Sequence, residues 1–381
     1  MARKILAYLK KELMLTVSVA AAVAALFITP PTAALLGDID WKTLAILFMM
    51  LTVLEGFKKE NIFRPLLVLT QNFRTMMGMS FFLIFSVFFS SMFVTNDVSL
   101  IIFVPLTILV FRAGMREEYI LPVIAMENIA AVRGSMLTPF GSPQNLFLFG
   151  RSGVSAGTFL LHMAPLWVFS GLLLCLFIRL LYRKDPRLPI TFTADRVTEP
   201  WAPERKKHRI LYLCLFAVVL ATIVTRTVLW PWITLGVMLL LLIFDRRILR
   251  KTDYVLLLTF FCFFVFSASI TANPAISGFL RDAVAEREYW WALGLSQIIS
   301  NVPASIVLYP FTTNLAGLLY GADSAGLIFL IGSLASVINY RIYVREYPGN
   351  GGKFIAAFTK ISLAFFAVVV IPGLLLSRWR F

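Results

Sequence analysis

Residues 79–111, MSFFLIFSVFFSSMFVTNDVSLIIFVPLTILVF, form one apolar run broken at its centre by Thr95-Asn96-Asp97. A single helix needs only about 20 residues to cross a hydrocarbon core of about 30 Å. The run is too long for one crossing, and its middle carries an amide beside a carboxylate, which are costly at mid-bilayer depth. The chain is therefore expected to turn back at this point. Open backbone survives within a membrane only where protein or a cavity covers it. A second run, from Tyr289 to about Leu315, breaks in the same manner at Ser300-Asn301-Val302-Pro303.

Composition agrees with a bilayer as solvent. The chain has 381 residues, 59% hydrophobic and 14% charged, with mean hydropathy +0.84. Soluble domains carry about 25% charged residues. The net charge of +15 does not point to nucleic acid, because Lys and Arg cluster between apolar runs with no basic stripe interleaved with aromatics. That pattern is the positive-inside bias of membrane proteins. Cys175, Cys214 and Cys262 lie in apolar runs, and their odd number and unpaired spacing argue against a disulfide framework or a zinc site. The basic, apolar N-terminus lacks a convincing cleavage site and is read as a retained first helix.

The expected fold is an all-α polytopic membrane protein with about nine transmembrane helices, two re-entrant hairpins in an inverted repeat, and two broken helices. The first half, 1–183, holds two spans, an inner hairpin at 75–112, a broken span at 119–150 and a span at 158–183. A cytoplasmic linker covers 184–209. The second half, 210–381, holds three spans, an outer hairpin at 289–318, a broken span at 323–345 and a final span at 354–377. With the N-terminus inside and the C-terminus outside, 26 of the 35 Lys and Arg fall on the inner side and 7 on the outer. If either interrupted run crossed fully, every later loop would change sides and this bias would degrade.

The two interrupted runs match each other in their polar residues. Ser91, Thr95, Asn96 and Pro105 recur 205 positions later as Ser296, Ser300, Asn301 and Pro310. Gly141-Ser142 and Asn145, in the broken span GSMLTPFGSPQN, recur 191 positions later as Gly332-Ser333 and Ser336. Matches among Leu, Ile and Phe carry no weight here, so the polar residues alone make the repeat. Inverted repeats with discontinuous helices are a common construction of secondary transporters.

The chemistry expected at the breaks follows from helix ends. Free N–H groups and the dipole at a helix N-terminus favour an anion. Carbonyls at the preceding C-terminus, with amide and hydroxyl oxygens, suit a cation such as Na⁺. The residues expected to bind substrate are Thr95, Asn96, Ser142, Gln144, Asn145, Ser300, Asn301, Ser333 and Ser336. Those expected to serve ion coupling are Asp97, Asn96, Thr138, Gly141, Asn301 and Asn339, with Na⁺ at Asn96/Asp97 and at Asn301. Asp97 has three readings: a proton carrier, a fixed cation ligand, or an N-cap. Ser135 adds a hydroxyl to the broken span. Arg133 offers a charge to an anionic substrate, and Glu127, six residues away, is too distant along one helix to pair with it directly. No cofactor other than bound Na⁺ is expected. Motifs of intramembrane enzymes, such as HExxH or GxSxG, are absent from the sequence.

The segments FVTNDVSLIIFVPLTI, GSMLTPFGSPQNLFLFGRSG, GLSQIISNVPASIVL and IGSLASVINY resemble the ion transporter superfamily, which includes divalent anion/sodium symporters, citrate transporters, arsenite permeases and a class of Na⁺/H⁺ antiporters. The nearest resemblance is to a small bacterial inner-membrane branch of citrate-transporter-like anion transporters. It implies two re-entrant hairpins, a midplane site, and elevator movement of a transport domain against a scaffold, often in a homodimer. In the dicarboxylate symporters the tips read Ser-Asn-Thr and bind Na⁺ and a substrate carboxylate. Asn96 and Asn301 match that pattern. Asp97 and Val302 depart from it, toward the arsenite permeases and Na⁺/H⁺ antiporters. The resemblance therefore implies a small solute, most simply an anion, coupled to Na⁺ or H⁺, with metalloid or Na⁺ efflux against H⁺ as the alternative and a membrane enzyme or channel further off.

Overall fold

A computed structural model describes residues 13–30, 33–190 and 206–381. The basic N-terminal cluster and much of the linker lie outside the described residues. Those described are almost entirely helical, with a single isolated bridge between Thr75 and Pro189 as the only extended pairing among them. This is the outcome expected in lipid, where a helix satisfies its own backbone polar groups. Six described helices are long and apolar enough to cross a membrane.

One group of helices packs as a scaffold. It comprises α1 (Leu13–Ile28), α2 (Ala33–Asp38), α3 (Trp41–Lys59) and, after the short α4 (Arg64–Val68), three helices from the second half. These are α10 (Lys206–Thr225), α11 (Trp230–Leu249) and α12 (Tyr254–Thr271). Helix α3 packs on α10 and α11, and α12 packs on α1. At one end Asp245 leaves helical geometry inside α11 (φ −153°, ψ 64°). Its carboxylate accepts from Lys59 of α3 and, at 2.8 Å, from the Tyr212 hydroxyl of α10. A kinked backbone thus delivers one acid to two neighbouring helices.

The first hairpin is α5 (Met76–Val94) and α6 (Asn96–Ala113). Ser90 Oγ donates to Ser99 Oγ at 3.0 Å. In one continuous helix these residues would stand about 13 Å apart, so the chain reverses at Thr95. Each arm is 19 or 18 residues long, longer than a half-crossing arm. Both ends still return to one side. The second hairpin, α14 (Glu288–Ile299) and α15 (Asn301–Leu308), is shorter, with arms of 12 and 8 residues. An 11-residue helix, α13 (Pro274–Val284), precedes it.

Each hairpin packs on a broken helix. The first is α7 (Ile120–Ser135), a loop at 136–142, and α8 (Pro143–Ser152); α9 (Ala156–Leu181) follows. The second is α16 (Leu315–Ala325), a break at 326–333, and α17 (Leu334–Glu346); α18 (Gly351–Ser377) follows. The second broken helix therefore starts at Leu315, not at residue 323, and residues 315–318 belong to it rather than to the hairpin. A 3₁₀ turn at Tyr309–Phe311 ends the hairpin, and the Asn314 side chain caps the new helix through the Gly317 N–H.

Backbone geometry repeats between halves. Thr95 has φ 71° and ψ 155°; Ser300 has φ 70° and ψ 159°. That region is strained for any residue with a Cβ. Its occurrence at the same repeat position twice shows that both tips are held by their surroundings. At the breaks, Ser142 (φ −149°, ψ 153°) matches Ser333 (φ −146°, ψ 139°). A Cβ on Gly141 would lie 2.2 Å from Ser135 O, and one on Gly332 would lie 2.3 Å from Ala325 O. The post-break halves are exchanged: α8 packs on α15 and α16, while α17 packs on α6 and α7.

Candidate functional site

Four helices begin inside the protein, at Thr95, Ser142, Ser300 and Ser333. All four N-cap residues carry a hydroxyl, and none uses it to cap its own helix. Elsewhere, Asp40, Thr75, Ser155, Asp253, Asn273 and Asn314 do cap theirs. Ser, Thr, Asn and Asp favour N-caps because they satisfy first-turn N–H groups. At the four interior ends that preference is set aside, so the hydroxyl of the N-cap residue does not satisfy the first turn of its own helix.

The first tip lies against the first break. The Asn96 N–H donates to Gly141 O at 3.3 Å, and the Thr138 hydroxyl donates to Met92 O. Asn96 Oδ1 accepts from the Asp97 N–H at 2.9 Å. Asp97 is half-buried, and with Thr95, Ser142 and Pro143 it lines a cavity of about 20 Å³ closed by Leu47, Met50 and Ile223 of the scaffold. That volume admits about one water-sized species. Asp97 Oδ1, Ser142 Oγ, Gln144 Oε1 and Asn145 Oδ1 are buried with no hydrogen-bond partner among the described residues. Leaving each unpaired costs about 1–3 kcal/mol; of the four residues, Asp97 and Ser142 line this cavity, and oxygens are the donors that a hard cation takes. The residues present therefore fit a small cation or a proton at this tip. Asp97 is not the cap of α6, which removes one of its three readings.

The second tip is neutral. The Ser300 hydroxyl reaches Asn301 Oδ1 at 3.5 Å, and Asn301 Nδ2 donates to Ala322 O at 3.3 Å. Gln297 clamps the second break, donating to Ala325 O and accepting from the Phe329 N–H. Ser333 N-caps α17. Ser336 and Asn339 face the other half: Asn128 donates to Ser336 Oγ at 3.0 Å, and Asn339 donates to Ile124 O at 2.8 Å. Their bonds go to α7 and the second break, not to Ser300 or Asn301. Ser336 Oγ bonds Gly326 O ten residues back, as Asn145 Nδ2 bonds Ser135 O.

Between the halves stand two buried opposite charges, Arg133 and Asp323, whose side chains make no direct salt bridge. Arg133 in α7 is fully buried. It donates to Ser170 Oγ in α9 at 3.1 Å, to Asp323 O at 3.1 Å and to Ser324 Oγ at 3.4 Å. The Asp323 carboxylate, fully buried in α16, accepts from Gln144 Nε2 at 3.0 Å and lies within electrostatic reach of Arg133. Arg133 precedes Gly141 by eight residues and Asp323 precedes Gly332 by nine, so the two charges occupy nearly equivalent places in the repeat. Glu127 does not join them. It accepts from the Thr107 hydroxyl of α6 at 2.5 Å. Asp323 is the one acid in LLYGADSAGLIFL and stands at the first position of the expected broken span 323–345; it is not among the expected site residues, and no local spacing links it to Arg133.

Comparison with known proteins adds family evidence. Residues 5–334 match the citrate transporter family. The chain is 32% identical over 310 residues to the inner membrane protein YbiR of Escherichia coli K12, covering 80% of each chain. It is 30% identical over 308 residues to a protein of Methanocaldococcus jannaschii described as the uncharacterized transporter MJ0456, covering 80% of this chain and 81% of the relative.

Proposed function

The chain belongs to the citrate transporter family, and from that premise we propose that it is a secondary transporter of a small anionic solute coupled to Na⁺ or H⁺. The reading rests on one observation above all. Four interior helix N-termini carry hydroxyl N-caps that do not cap their own helices. Such ends offer N–H groups and positive dipole ends to an anion without requiring a buried cation in direct contact. Thr95, Asn96, Ser142, Ser300, Asn301 and Ser333 hold the solute. Asp97, with Thr138 and the carbonyl of Gly141 close by, holds the coupling ion on the side of the first tip. Gln144 and Asn145 position the charge pair beside this site, and Ser336 and Asn339 fasten the halves around it.

The movement is an elevator: the two hairpins and broken helices slide along the scaffold of α1, α3 and α10–α12. The small cavity at Asp97 lies at that sliding face, between the tip and α3. A second reading, cation or metalloid efflux against H⁺, draws on the carboxylate at the third tip position, where the anion symporters have a hydroxyl. Uptake of radiolabelled citrate and smaller carboxylates into reconstituted vesicles separates the two. The anion reading predicts accumulation that collapses when the imposed Na⁺ or pH gradient is dissipated. Gradient-dependent Na⁺ or arsenite movement, with no carboxylate accumulated, selects the second reading.

A further inference from the structure

A second cavity, of about 400 Å³, lies where α3 begins, α8 ends and α10 turns into α11. Pockets for small molecules start at about 300 Å³. Three cationic side chains line it, Lys42, Arg151 and Arg226, against a single carboxylate, Asp40. These residues come from three separate stretches of chain, and each is fixed in place. Asp40 caps α3 through the Thr43 N–H, and its other oxygen accepts from the Thr43 hydroxyl and from Arg151 Nε, both at 2.9 Å. Arg226 sits over the Phe149 ring at 3.9 Å and donates to Phe149 O and Ser152 Oγ. Lys42 donates one of its three protons to Arg226 O at 2.8 Å. The acid is thus occupied in positioning, while the lysine and the two guanidinium groups keep further donors. Holding three cations together is unfavourable unless an anion joins them.

The cavity shares two walls with the one at Asp97. Leu146 and Ile223 line both, and both side chains are buried. Leu146 belongs to the first broken helix and Ile223 to the scaffold, so the partition between the cavities lies on the sliding face itself.

We propose that Lys42, Arg151 and Arg226 form a vestibule site that binds a small multiply charged carboxylate before it passes the Leu146–Ile223 partition to the tips. The vestibule deepens the transport reading by giving its solute a first stop. The Lys and Arg distribution puts this end of the molecule outside. Binding here concentrates the anion at the entrance, as a like-signed cleft does generally. The same chemistry would accept the phosphate of an anionic lipid headgroup, so a test must separate the two sources.

Phenylglyoxal labelling of the exposed Arg151, read peptide by peptide by mass spectrometry, reports on the vestibule alone. The protein is held in nanodiscs of zwitterionic lipid and citrate is the probe; a second arm uses nanodiscs containing anionic lipid and no citrate. Citrate is expected to slow Arg151 labelling, with the same half-protecting concentration in the parent and in Asp97→Asn. Lys42→Gln and Arg226→Gln should each raise that concentration about tenfold, the scale of one charge-assisted hydrogen bond. Labelling of Arg246 and Arg247, elsewhere on the scaffold, should not change. No protection by citrate, protection lost in Asp97→Asn, or protection by anionic lipid alone overturns the proposal. Protection without any carboxylate uptake in vesicles would instead count against the transport reading and leave the vestibule standing.

Discussion

Arg133 joins α7, α9 and α16 through side-chain and backbone oxygens that have few alternatives in a buried setting. Removing it deletes these buried hydrogen bonds and the positive charge nearest the Asp323 carboxylate, and a buried polar group left unsatisfied costs about 1–3 kcal/mol. Arg133→Gln is therefore expected to lower the melting temperature in detergent markedly. Arg133→Gln combined with Asp323→Asn should recover part of the loss, because neither charge is then left alone. Equal destabilisation in the single and double variants would mean that the two residues do not act as a pair. How far such a site is legible in sequence depends on local contrast. Asn96 and Asp97 stand out because apolar residues flank them on both sides. Arg133 stands out too, but Asp323 lies 190 positions away in a Gly- and Ala-rich stretch, and no local pattern joins residues so far apart. The resemblance of Ser336 and Asn339 to site residues is real at the level of type and spacing. Their bonds to α7 depend on how the halves exchange their post-break helices, and no local pattern carries that.

At the scale of elements, the repeat makes a paired prediction. Gly141 and Gly332 each let the chain pass a carbonyl oxygen at a distance no Cβ tolerates. Gly141→Ala and Gly332→Ala should lower folded yield and thermal stability to a similar degree, by about 2 kcal/mol or more given that the obstacle is backbone. Fluorescence-detected size exclusion during a temperature ramp measures both. A loss confined to one of them would show that the two breaks are not structurally equivalent. The repeat was readable because hydroxyl, amide and glycine positions kept their spacing against an apolar background. Helix ends were less readable. The start of α16 at Leu315 is set by the Asn314 cap after a 3₁₀ turn, within a run whose hydropathy hardly changes. The amphipathic α13 is too short to register as a span. The arms of α5 and α6 are longer than half a crossing, so run length alone does not define a hairpin; the Ser90–Ser99 contact does.

For the whole molecule, hairpins that return to their side of entry leave an odd number of crossings. Cysteines placed at Arg183 and at Phe381 should then react with membrane-impermeant reagents from opposite faces, in accord with the Lys and Arg bias. Labelling from the same face would contradict that topology. The inequality between the two tips also acts at this scale. One carries Asp97 in a small cavity against α3 and α10, and the other carries Val302 and a neutral Asn301 tied to Ala322. An account in which the charged half couples and the neutral half completes the solute site stands or falls on what Asp97 does. The direct measurement is citrate transport in reconstituted vesicles by Asp97→Asn, comparing gradient-driven uptake with exchange of internal for external citrate. The account predicts that driven uptake is lost while exchange persists; driven uptake at the parent rate would contradict it.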